Sequence, residues 1–212
     1  MERVRLRFDG WIAGVGTESG TRIVVGHWTA SPFGAFSDVM VEQADGFRLL
    51  LVPTGQIGEF VAGTYSFDQV DVVPVAVART GTGWSVTAGP LTLRFTLGRR
   101  GPLGWLLRAV PAPLSCRPAW AALTDVPSSL LPGVRTRGSA GQGRREWYAA
   151  RDLWPITAAT AVHRGRDLGS LRPVEPPVRF GFGSTPRTPC QVRITTTVEQ
   201  DGVPRRPPSG GR

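Results

Sequence analysis

Along most of this chain apolar and polar positions alternate one by one, the period of a half-buried β-strand. Val4-Arg5-Leu6-Arg7-Phe8 alternates cleanly, and after a bulge or turn at Asp9-Gly10 the pattern runs on through residues 11–16. Residues 21–26 predict a second strand, closed by His27 and Trp28. The intervening run from Gly14 to Gly20 has the glycines of a dinucleotide-binding loop. Its spacing is wrong and a strand, not a helix, follows it, so it reads as a hairpin loop. Ser31-Pro32-Phe33-Gly34 is a turn, and Asp45-Gly46 joins strands at 39–41 and 47–52. The second of these is almost continuously apolar, which predicts a central strand buried on both faces.

The period then changes. Ile57, Phe60, Val61 and Tyr65 recur at helical spacing behind Thr54, a residue suited to capping, so a helix is expected over 54–65. Alternation returns at 70–78, 84–88 and 91–97, with a turn at 80–83. Residues 101–131 interrupt it with leucine- and tryptophan-rich, proline-broken segments. They read as short helices at 99–108 and 117–123 that cap one end of a barrel, a reading preferred to a basic amphipathic segment lying on a membrane.

The stretch 131–165 carries most of the candidate chemistry. Val134 to Arg137 and Arg144 to Asp152 predict a hairpin around the glycine loop 138–143, a plain connector or a nest of backbone N–H groups for an anion. Strand alternation puts Arg145, Trp147, Ala149 and Arg151 on one face, and Arg144, Glu146, Tyr148, Ala150 and Asp152 on the other. Further strands follow at 155–162, 178–183 and 191–198, with a turn at 164–167. Residues 201–212 are polar and rich in Pro and Gly, and are expected to form a disordered tail.

The fold class implied is mainly β (α+β): a single domain over 1–200, whose curved, mostly antiparallel sheet forms a barrel or sandwich with short helical segments near 54–65 and 101–131. The 27 Gly and 19 Pro among 212 residues favour many turns over a helical bundle.

Charge adds one constraint. All 25 basic residues are arginine, and the chain has neither Lys nor Asn, as expected from a high-GC bacterial genome. Residues 1–98 hold 7 Arg and 9 acids, whereas 99–212 hold 18 Arg and 7 acids. That asymmetry points to an anionic partner. The arginines are dispersed and no nucleic-acid reader motif is present, which disfavours nucleic acid. Cys116 and Cys190 are far apart, and His27 and His163 are the only histidines, so neither a metal site nor a cofactor is expected. No apolar run reaches the ~20 residues of a transmembrane helix, and the charged start MERVRLRFDG does not resemble a secretory signal. A cytoplasmic protein is the expectation.

No nucleophile elbow, phosphate-binding loop or zinc-protease motif occurs. The candidate ligand-binding residues are therefore Arg135, Arg137, Arg145, Trp147, Tyr148 and Arg151, because guanidinium groups bind carboxylate or phosphate and stack on aromatic rings. Candidate acid/base groups are Glu146, Asp152, His163 and His27. The reading is a binder of a small anionic or amphipathic molecule in a barrel cavity. The alternatives are an enzyme using those acid/base groups in the same cavity, and electrostatic association with a membrane surface or nucleic acid.

Overall fold

The computed structural model of the chain describes residues 3–110, 137–139, 145–181 and 185–201. Strands β1 (Arg3–Thr17), β2 (Arg22–Ala30), β3 (Phe36–Glu42) and β4 (Arg48–Val52) form an antiparallel meander. Helix α1 (Gly55–Ala62) returns the chain so that β5 (Gln69–Val72) pairs parallel with β4. Strands β6 (Val75–Thr80), β7 (Gly83–Ala88) and β8 (Leu91–Leu97) form a second meander, followed by α2 (Pro102–Ala109). After these come β9 (Arg137–Ser139), β10 (Arg145–His163), β11 (Arg166–Asp167), β12 (Leu171–Arg172) and β13 (Cys190–Asp201). The order across the sheet is β5-β4-β3-β2-β1-β13-β10-β8-β7-β6, with β9, β11 and β12 attached at its margins. The protein is thus a mainly β half-barrel, a curled ten-strand mixed sheet with two short helices among the described residues.

The concave face holds the main core. Val15, Ile23, Val39, Val41, Leu49 and Leu51 from one wall pack against Val86, Leu91, Leu93 and Phe95 from the other. The convex face of the first wall is covered by α1, through Ile57 and Val61, and by the segment 173–181, through Val174, Val178 and Phe180. β4 is therefore buried on both sides, as its apolar run implies, but it lies second from the sheet edge rather than at the centre. Thr54 caps α1, its Oγ1 accepting from Ile57 N at 3.3 Å.

Other expectations need correction. Residues 70–78 are two strands, broken before Pro74, which has no N–H to give a ladder. Of the strand expected at 178–183, the described part, residues 178–181, is not a strand: Val178 and Phe180 turn inward to cover the sheet, so the same pattern serves a cover layer, and residues 182–183 lie outside the described residues. The strand 155–162 is continuous with the arginine-rich one before it, giving a single 19-residue strand. The helix expected at 99–108 is α2; the one at 117–123, the loop 140–144 and the tail 202–212 lie outside the described residues.

One ion cluster fastens the cover layer. Arg22 and Glu42, 2% and 0% exposed, face each other across β2 and β3, with Arg22 Nη2 2.8 Å from Glu42 Oε1. Glu42 also accepts from the backbone N–H of Arg179 at 2.6 Å and from its Nε at 2.9 Å. Removing one partner of a buried pair strands the other charge. Glu42→Ala is expected to lower stability by about 3–5 kcal/mol in urea denaturation, and Arg22→Met/Glu42→Leu to recover a large part of that loss.

Candidate functional site

The register of β10 against β13 decides where the candidate residues go. Trp147 lies opposite Thr197 and Tyr148 opposite Thr196, so the two aromatics face opposite sides of the sheet. Between Ala150 and Asp152 the register slips, leaving Arg151 as the extra residue of a bulge. Asp152 then pairs with Arg193 and so shares the face of Trp147, not that of Glu146 and Tyr148. This corrects the simple alternation, which the bulge inverts.

Glu146 and Tyr148 belong to the convex side and are buried there. The hydroxyl oxygen of Tyr65 lies 2.9 and 3.0 Å from the two Glu146 carboxylate oxygens and 2.5 Å from the Tyr148 hydroxyl. Burial, and then the Glu146 carboxylate, push both phenols well above their ordinary range, so they stay protonated as donors. Asp38 is buried on the same side and accepts from Trp28 Nε1 at 2.9 Å. Gly26 leaves room for that bond, since a Cβ there would meet Asp38 Oδ1 at 2.4 Å. The Tyr65 hydrogen bonds tie the chain after α1 to β10, in a largely buried setting.

The concave face opens toward one end. Trp11, His27 and Trp154 point inward and pack on the rim of the core, yet remain half-exposed, so solvent reaches the concave face here. Trp84 forms its floor, stacked on Phe95 at 5.9 Å and approached by Trp11 at 6.2 Å and by His27 edge-on at 5.7 Å. The indole N–H of Trp84 is buried without a hydrogen-bond partner. The guanidinium of Arg193 lies over Trp11 at 5.7 Å and makes no ion pair among the described residues. Asp152 is held instead by Arg100, at 2.8 and 2.9 Å, and Arg100 is clasped between Trp154 and Trp105. α2 reaches this position because Gly104 rests on the carbonyl of Leu153, where a Cβ would stand 2.2 Å from the oxygen.

Trp147 and Arg151 are half-buried further along the sheet. Burial pushes the Asp9 carboxyl up, but hydrogen bonds from Arg7 and Thr195, with a smaller contribution from the Arg151 charge, hold it below its ordinary value. Arg137 and Arg145 lie on the paired backbone of β9 and β10, and Arg135 lies outside the described residues. Of the acid/base candidates, His27 lies beside these indoles, with its Nδ1 2.9 Å from Ser37 Oγ. His163 lies at the far end of the half-barrel, where it lines a separate pocket. Glu146, Asp152, His163 and His27 thus do not meet in one site. Sequence reasoning missed Trp11, Trp84, Trp154, Arg193 and Ser37, which come together only across strands. Cys190 is buried, which pushes its thiol up to about 12 and leaves it inert. No group of three metal-ligating side chains exists among the described residues, and none of their helices is long and apolar enough to cross a membrane.

No family model matches the sequence, and no curated protein matches it. Among solved structures the chain is similar to an acetoacetate decarboxylase from Legionella pneumophila, at 9% identity and a TM-score of 0.42, over 92% of this chain and 84% of that one. It is also similar to a protein assigned as AttH from Nitrosomonas europaea, at 14% identity and a TM-score of 0.35, over 96% of this chain. It spans about half of the AttH chain, 53%.

Asp38 makes a measurable link to pH. Burial pushes its carboxyl from 3.8 up to about 7, against the opposing bond from Trp28. Between those values the folded chain keeps a proton that the unfolded chain has lost, so stability falls as pH rises through this window and levels off above it. Asp38→Asn keeps an acceptor for Trp28 and removes the penalty. It is expected to exceed the parent in stability at pH 8 by on the order of 2–4 kcal/mol and to match it near pH 4, by urea denaturation at both pH values.

Proposed function

We propose that this protein binds a small amphipathic anion in the hollow of its half-barrel. One observation carries the reading: inward-facing indoles remain half-exposed next to a guanidinium, Arg193, that has no carboxylate partner among the described residues. Core aromatics at such positions would ordinarily be closed over, and an exposed arginine would ordinarily turn to water or a neighbouring acid. Here the flat apolar body of a ligand lies on Trp11 above the buried Trp84, flanked by Trp154, whose other neighbour is Arg100, and its acid group meets Arg193, with Arg151 and Trp147 further along the same wall. The Trp84 N–H supplies a donor if the floor shifts to admit an acceptor. Lysine-based imine chemistry is excluded by composition, since the sequence has no lysine.

A second reading, acid–base catalysis in the same hollow, rests on the 2.9 Å contact between His27 Nδ1 and Ser37 Oγ. Burial holds His27 below its ordinary value, which keeps the imidazole neutral and able to take the serine proton. This reading requires hydrolysis of p-nitrophenyl acetate that rises with pH as His27 loses its proton and disappears in Ser37→Ala. A wild-type rate equal to the Ser37→Ala background leaves binding alone.

The binding reading is tested by titrating the protein with 1-naphthoate and its neutral isostere 1-naphthamide, followed by tryptophan fluorescence and calorimetry. A charge-assisted contact predicts that the acid binds about tenfold more tightly, that Arg193→Gln removes the difference, and that Trp11→Leu weakens both. Equal affinity for the two probes, or no binding of either below about 1 mM, rejects the proposal.

A further inference from the structure

About 20 Å along β1 from Trp11, six residues on, a second cavity opens at the opposite end of the half-barrel. Three turns far apart in sequence meet there: residues 18–21 between β1 and β2, 43–46 between β3 and β4, and 164–165 between β10 and β11. They line an open pocket of about 450 Å³ whose lining includes Ser19, Thr21, Asp45, His163, Arg164 and Arg166.

Four features of this pocket call for a ligand. His163 occupies the inward position after Ala159 and Ala161, is 8% exposed, and its Nε2 has no hydrogen-bond partner. A buried ring nitrogen without a partner costs free energy, which a ligand or bridging water in the adjoining pocket recovers. Arg164 and Arg166 are exposed, and neither makes an ion pair among the described residues. Arg164 has φ +52°, the left-handed region that glycine or asparagine fills at little cost. An arginine kept at the head of a two-residue turn, where glycine would be easier, points to a use for its side chain. Finally, the hydroxyls form a directed chain. Thr17 Oγ1 donates to the Thr21 carbonyl at 2.8 Å, and Ser19 Oγ donates to Thr21 Oγ1 at 3.0 Å. The Thr21 hydroxyl proton is left uncommitted and borders the pocket.

We infer that this pocket binds a small hydroxylated phosphate monoester, with Arg164 and Arg166 on the dianion, the Thr21 hydroxyl and His163 completing its donors, and Gln43 and Asp45 meeting the hydroxyl groups. Two guanidinium groups suit a dianion with three acceptor oxygens better than they suit a monocarboxylate. Asp45, already accepting from Phe47 N at 3.0 Å, has its second oxygen for a ligand hydroxyl.

Glucose 6-phosphate, inorganic phosphate, gluconate and glucose serve as probes, followed by calorimetry and by the His163 Cε1 resonance in NMR. Glucose 6-phosphate is expected to bind with a Kd below about 1 mM and to move the His163 signal, with gluconate at least about tenfold weaker and glucose silent. Arg164→Gly and Arg166→Ala are each expected to weaken it about tenfold or more, and Trp11→Leu to leave it unchanged. Arg164→Gly also serves as the folding control, because glycine suits that backbone and its Tm should equal or exceed that of the parent. The inference is overturned if glucose 6-phosphate fails to bind, if gluconate binds as well, or if Arg164→Gly retains full affinity with its fold intact.

Discussion

A single strand holds the two halves of this molecule in register. β10 hydrogen-bonds to β13 through residues 145–155 and to β8 through residues 156–163, so the wall built by β1–β4 and the wall built by β6–β8 share it as a common spine. Register slips near Arg151 and Thr157 let it bend between them. Everything on the concave face depends on that bend. Without it the leucines of β4 and those of β8 could not reach one another across the interior, and Trp11 and Trp84 would not meet.

The two sides of the sheet solve burial differently. The convex side is covered by α1 and residues 173–181, and its carboxylates and phenols pair in the Arg22–Glu42–Arg179 cluster and the Tyr65–Glu146–Tyr148 cluster. The concave side is packed only in its middle belt, where Ile23, Val39, Leu49 and Leu93 are fully buried. Toward one end it opens into aromatic and guanidinium groups, and toward the other into the hydroxyl- and arginine-lined pocket. Among the described residues, buried side-chain polar atoms without a protein partner occur on both faces, Trp84 Nε1, His163 Nε2 and Gln191 Oε1 on the concave side and Arg22 Nε and Thr196 Oγ1 on the convex side.

Much of the local structure was legible from residue pattern. The hairpin expected from the run 14–20, whose turn the structure confines to 18–21 because β1 continues to Thr17, the Asp45-Gly46 turn, the turn at 80–83 and the Thr54 cap follow from chemistry acting over two to four residues. Glu146 and Tyr148 show where legibility stops. Their alternation with Trp147 was read correctly, but which face was hollow and which was covered depended on α1 and residues 173–181, which lie elsewhere in the chain. Val178 and Phe180 alternate as strand residues do, yet form a cover, because burying every second side chain needs a surface to lie on and not necessarily a partner strand.

What the amino-acid order settled by itself is a mainly β chain with its turns in place, its arginines concentrated in the second half, and two histidines available for titration. The tertiary structure alone decided which of those side chains meet. One bulged residue, Arg151, moved Asp152 to the other side of the sheet, because side chains alternate with a period of two and an extra residue inverts all that follow until another compensates. Curvature, set by packing between strands scores of residues apart, then brought Trp11 to Trp84 and the 18–21 turn to His163, contacts that no local pattern encodes.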